Sequence, residues 1–111
     1  MLQIKLGPQG PAFVGDALGR SRVGAFEGMS PQEAWLAGRG AWKLNPSAAL
    51  AQDEAQVIDS SGTVLAVARI TGISKAADGR FIVDGELLVD DARVGQPTPH
   101  PHRSRNPLAY F

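Results

Sequence analysis

The chain has 111 residues, 43% of them apolar, with eleven basic side chains, eleven acidic ones and no cysteine. That size and composition fit one packed domain and exclude disulfides, thiolate metal sites and a cysteine nucleophile. Thirteen glycines and eight prolines call for many turns and short elements, which favours a β-rich α+β fold over a helix bundle.

No apolar run approaches the roughly 20 residues that span a bilayer. Residues 1–8 lack the basic and long apolar regions of a secretory signal, so a cytoplasmic protein without membrane contact is expected. Net charge is zero but unevenly spread. Residues 1–43 carry five basic and three acidic side chains, residues 44–91 three basic and eight acidic, and residues 92–111 three arginines and no acid. Such asymmetry can steer a polyanion if the two basic regions meet, or simply solvate separate surfaces.

Leu2, Ile4 and Leu6 alternate with Gln3 and Lys5, the period of a half-buried strand. The Gly7-Pro8 and Gly10-Pro11 steps end it, and Ala12–Val14 reads as a second short strand. Residues 15–28 hold four glycines without periodicity and read as a long loop. Arg20, Ser21 and Arg22 there form a candidate phosphate loop, since guanidinium groups suit bidentate anion contacts; a solvated basic loop fits the same residues. Ser30-Pro31-Gln32-Glu33 combines an N-cap, a proline at the first helical position and a capping-box glutamate. A helix follows to Gly38, with Trp35 as its core anchor.

Trp42 falls in an extended segment between Gly40 and Asn45, flanked within three residues by Arg39 and Lys43. A ring among cations suits base stacking beside a phosphate backbone, and it equally suits a core position. Asn45-Pro46 starts a second short helix, and Ala55–Asp59 and Thr63–Ile73 read as strands joined by a Ser60–Gly62 hairpin turn. Thr63–Ile73 is the most apolar run and is expected at the centre of the sheet, with Val64, Ala66, Ala68 and Ile70 on one face. After a turn ending at Gly79, residues 80–89 form a further strand with Gly85 as a bulge. Asp84, Glu86 and Asp90 read as an exposed strand face or, less simply, as acid–base or cation ligands. The proline-rich tail stays extended, and Leu108–Phe111 docks as a last strand or plug. His100 and His102, two apart, have no further ligand residues beside them, so no metal and no cofactor is expected.

The order Trp42-Lys43-Leu44, short helix, strand, glycine turn, then Val64-Leu65-Ala66-Val67-Ala68-Arg69-Ile70, ending in Asn106-Pro107-Leu108-Ala109-Tyr110, resembles the PUA-like group that includes ASCH and EVE domains. The likeness covers about residues 38–111. It implies a small twisted five- or six-stranded β-barrel with two short edge helices and has no counterpart for the first 37 residues, while the length gives one domain over 1–111. Residues 1–29 would be a strand plus glycine-rich extension and 30–111 the helix and barrel core. It also implies nucleic-acid binding, to RNA or modified DNA, with Trp42 and Tyr110 contacting a base and Arg39, Lys43, Arg103 and Arg105 contacting phosphates. An alternative is a protein-interaction module using the Pro/His-rich tail toward a protein partner or a second copy. A third is an enzyme pairing His100 or His102 with Asp90 or Asp91, although no catalytic motif accompanies them.

Overall fold

The computed structural model describes residues 1–7, 10–11, 18–20, 22–101 and 106–111, without the side chains of Pro11, Arg22 and Val23. Its elements are β1 (Leu2–Lys5), β2 (Gly10–Pro11), β3 (Arg22–Val23), α1 (Pro31–Gly38), α2 (Pro46–Leu50), β4 (Glu54–Ile58), β5 (Val64–Lys75), β6 (Phe81–Leu87) and β7 (Leu108–Tyr110). The strand expected at Ala12–Val14 lies outside the described residues. Within the segment expected to be a loop, Arg22–Val23 pairs with Gly10–Pro11 as a two-residue ribbon.

Both helices start as their sequences dictate. In α1 the Ser30 hydroxyl accepts the Glu33 amide at 3.1 Å while the Glu33 carboxylate accepts the Ser30 amide at 3.0 Å, satisfying two otherwise orphaned donors. In α2 the Asn45 carbonyl oxygen Oδ1 accepts the Ser47 and Ala48 amides. At the β4–β5 turn the Asp59 carboxylate gathers the Ser61 amide and hydroxyl and the Thr63 amide. Gly62 takes φ +86 there, a backbone state that costs a side chain strain.

The main sheet is five-stranded and mixed, in the order β6-β5-β4-β1-β7. The pairing of β1 with β4 is parallel and all its other pairings are antiparallel. A parallel pair needs a long crossover, and the chain between β1 and β4 supplies one that includes the ribbon and both helices. Two expectations change here. The central strand is β4 and not Thr63–Ile73, because β1 returns beside β4 and pushes β5 one place outward. Nor is the sheet closed: among the described residues β6 and β7 do not pair with each other, so the structure gives a β-rich α+β domain with an open sheet.

One face of the sheet carries the main core. Leu2, Ile4, Leu6, Ala55, Val57, Ala66, Ala68, Val83 and Leu108 pack there with Ala34, Trp35 and Ala37 of α1. The helix lies close because its last residue is glycine: a Cβ on Gly38 would stand 2.9 Å from Val57 Cγ2. Gly85 meets the same demand from the sheet side, where a Cβ would stand 2.6 Å from the Arg69 carbonyl oxygen and 3.1 Å from the Trp35 ring. The bulge expected at Gly85 falls across the ladder instead, in β5 between Ile70 and Gly72. A second register shift, between Val57 and Ile58, makes Leu65 the extra residue opposite β4. Alternation slips by one there, so Val64 joins Ile58 and Val67 on the opposite face rather than Ala66 and Ala68.

That opposite face is covered by residues 88–101. The Leu88 amide bonds to Val67, Val64 exchanges bonds with Gly95 and Gln96, and the Thr98 amide bonds to Gly62, all at 2.8–2.9 Å. Underneath, Gln3 and Gln56 are in register on β1 and β4 and almost fully buried. Gln3 Nε2 donates to Gln56 Oε1 at 2.7 Å and to the His100 carbonyl at 2.8 Å, and Thr98 Oγ1 donates to Gln56 Oε1 at 2.9 Å. Buried amides without partners would be costly; these are tied to one another and to the covering segment.

Candidate nucleic-acid interface

The residues after α1 run back along the outer edge of β6 as a strap. The Arg39 amide closes the helix on the Trp35 carbonyl at 2.9 Å, and the Arg39 carbonyl accepts the Val83 amide at 2.7 Å. Trp42 and Phe81 then exchange both backbone bonds, at 2.9 and 2.8 Å, as an isolated antiparallel bridge. Gly40 lets the strap lie flat, since a Cβ there would meet the Ile82 side chain at 3.0 Å. The Trp42 indole N–H donates to the Gly38 carbonyl at 2.6 Å. The ring is half-buried, with one part against the main core and one part in solvent.

The strap collects cations. Lys43 follows Trp42 and is exposed; the Trp42–Phe81 bridge sets it beside Arg80. Lys75 of β5 is exposed and in register with Phe81 on the other side. Trp42, Phe81 and Lys75 are in register on successive strands and share one face, whereas Lys43 and Arg80, each one residue along from a ring, alternate to the other. Arg39 is tied down beside them: its Nε donates to the Val83 carbonyl at 3.1 Å and its Nη2 to Asp84 Oδ1 at 3.0 Å. Asp84 also accepts the Ser74 hydroxyl.

Of the residues expected to form one site, the structure brings Arg39, Trp42 and Lys43 together and places Tyr110 elsewhere. Tyr110 is on β7, at the far edge of the sheet, four strand spacings or roughly 19 Å across the sheet from β6. Burial raises its phenol pKa above the usual value. Arg20 caps α1, donating from Nη1 to the Leu36 and Ala37 carbonyls at 3.0 and 3.1 Å, where a cation complements the helix C-terminus. Ser21, the Arg22 side chain, Arg103 and Arg105 lie outside the described residues, as does His102. Phe81, Lys75 and Arg80 were not singled out from the sequence. Arg80-Phe81 repeats the cation–aromatic step of Trp42-Lys43, a signal that gains meaning once the strap and β6 are known to pair.

Glu86, Asp91, Glu54 and Asp59 are engaged structurally. Glu86 bonds to Arg69 on the neighbouring strand. Arg93 grips Asp91 through Nε and Nη2, each at 2.9 Å, and Glu54 through Nη1 at 2.9 Å and Nη2 at 3.2 Å. That grip fastens the covering segment to β4. Hydrogen bonding from Arg93 holds the Asp91 carboxyl down at about 2 and lowers that of Glu54, while the two carboxylates raise Arg93. Burial pushes Asp59 up, but the bonds from Ser61, Thr63 and Gly62 outweigh it and the net shift is downward.

His100 is exposed, its ring centroid 4.4 Å from that of Phe111. Among the described residues no group of three His, Asp or Glu side chains could hold a metal, and no helix is long and apolar enough to cross a membrane. The chain matches no protein-family model, no curated protein and no solved structure.

Proposed function

We propose that this protein is a non-enzymatic nucleic-acid-binding module of the PUA-like kind, which engages a single-stranded segment of RNA or DNA along the strapped edge of β6. The observation that carries the reading is the pinned, half-exposed Trp42 ring beside Phe81, with Lys75 in register on the same face and Lys43 and Arg80 next along the two paired segments. Stacking on a fixed ring and phosphate contacts from flanking cations are what a sequence-tolerant single-strand site requires. Zero net charge is compatible, because the local field at the edge governs the encounter. A cytoplasmic location belongs to this proposal.

Titration of labelled single-stranded and duplex RNA and DNA at several salt concentrations tests the reading. Binding strongest to single strands and falling linearly in log–log against salt is expected. Absence of salt-dependent binding to any of the four would end it.

A second reading, as a protein-interaction or homodimer module, draws on the other edge. The β1–β7 bonds run through Lys5–Pro107 and Met1–Phe111, which turns the Tyr110 backbone outward. Its N–H and C=O have no partner among the described residues, and Tyr110 and Phe111 are exposed. Sedimentation over a concentration range decides: a monomer throughout removes the homodimer.

A further inference from the structure

The Arg39–Asp84 pair looks at first like a reason to remove Arg39 from the interface, because its charge is already answered within the domain. The donor count says otherwise. A guanidinium has five N–H donors. Arg39 spends the one on Nε on the Val83 carbonyl and one from Nη2 on Asp84. Both donors of Nη1 and the second of Nη2 have no partner among the described residues, and the side chain retains 27% exposure. The occupied atoms, Nε and Nη2, lie along one edge of the planar guanidinium. The unoccupied ones form its end, the fork that takes two oxygens of a phosphate.

The strap itself does not depend on the pair. Its backbone is fixed by the Arg39–Val83 bond, the two Trp42–Phe81 bonds and the indole bond to Gly38. Asp84, in turn, is steadied by Ser74 on β5. The carboxylate thus anchors one side chain and little else.

We propose that Asp84 is a positioning residue that holds Arg39 with its Nη1–Nη2 end presented to a phosphate of the bound strand. The inference rests on the nucleic-acid reading above and deepens it. It also carries a sign opposite to simple electrostatics. Removing an acid from the border of an anion site should tighten binding through the field alone, whereas removing an anchor should weaken it by the cost of ordering a long side chain.

The test measures binding of a labelled oligouridylate at low salt to the wild type, Asp84→Ala, Asp84→Asn, Arg39→Gln and the double variant Arg39→Gln/Asp84→Ala, with melting curves for each. Asp84→Ala should bind about two- to tenfold more weakly. Asp84→Asn, whose amide oxygen can still accept from Arg39, should fall between it and the wild type. On the Arg39→Gln background, Asp84→Ala should cost nothing further. If Asp84→Ala does not fold, Asp84→Asn carries the same sign test. Tighter binding by either variant, or an undiminished loss without Arg39, would overturn the positioning role while leaving the interface intact. A wild type that binds no nucleic acid removes the interface and this role together.

Discussion

The two edges of the main sheet are finished by different means. At β6 a strap bonded through Arg39 and Trp42 covers the edge and brings a fixed ring and several cations with it. At β7 three residues end the sheet, backed by β1 alone, and the edge is short. Short strands and covered edges are both ways to blunt the pairing hazard of an open sheet. Only the covered edge gains a fixed ring and added cationic side chains in the process. A strap must be long enough to reach its strand, and the added residues supply side chains at fixed positions beside β6.

That contrast can be broken from the β7 side first. Leu108 is the buried residue of β7, so Leu108→Ala should destabilise the fold by about 2–5 kcal/mol, read from urea denaturation. Stacking at the β6 edge is probed next by Trp42→Ala, which should weaken single-strand binding by about 1–3 kcal/mol if it folds. Tyr110→Ala, at the other edge, should leave binding unchanged. Equal losses from the two would erase the distinction between the edges.

The β6 edge also depends on its glycine. Gly85→Ala would force a Cβ against the Arg69 carbonyl and Trp35, and a loss of about 1–3 kcal/mol is expected on denaturation. A neutral result would mean that β5 and α1 can give way.

The smallest effect concerns acid. Asp91 falls from 3.8 to about 2 and Glu54 is lowered from 4.5. Their contribution is therefore fully present above those ordinary values and is lost as pH falls through the depressed ones. Because the groups are partly exposed, the loss attributable to the Arg93 grip should not exceed about 1 kcal/mol. Comparing the wild type with Arg93→Ala between pH 5 and pH 2 (roughly the window these shifts define) should show the two stabilities converging toward acid. Parallel curves would mean that the grip contributes nothing.

Local signals explain what the sequence made legible. The capping box of Ser30 and Glu33, the Asn45-Pro46 start, the Ser60–Gly62 turn and the alternation of Leu2, Ile4 and Leu6 all involve residues within a few positions of each other. What could not be read was long-range. Nothing local to Leu2–Lys5 says that it pairs in parallel with β4, so sequence alone points to the most apolar strand as the centre. The extra residue at Leu65 exists only relative to Val57, and it moved Val64 to the other face. The Trp42–Lys43 half of the candidate interface is visible in the sequence as a cation–aromatic step. Lys75, Arg80 and Phe81 join it only through the strap's pairing with β6.

The most direct test of the central claim is the salt dependence of single-stranded RNA binding by the wild type and by Lys43→Glu/Lys75→Glu, two exposed positions bordering the rings. Wild-type binding is expected to weaken steadily with salt. Loss of two phosphate contacts should make the slope of the double variant shallower by about 1.4, at roughly 0.7 per contact on a single strand. Binding that is absent in the wild type, or unchanged in slope in the variant, would contradict the account.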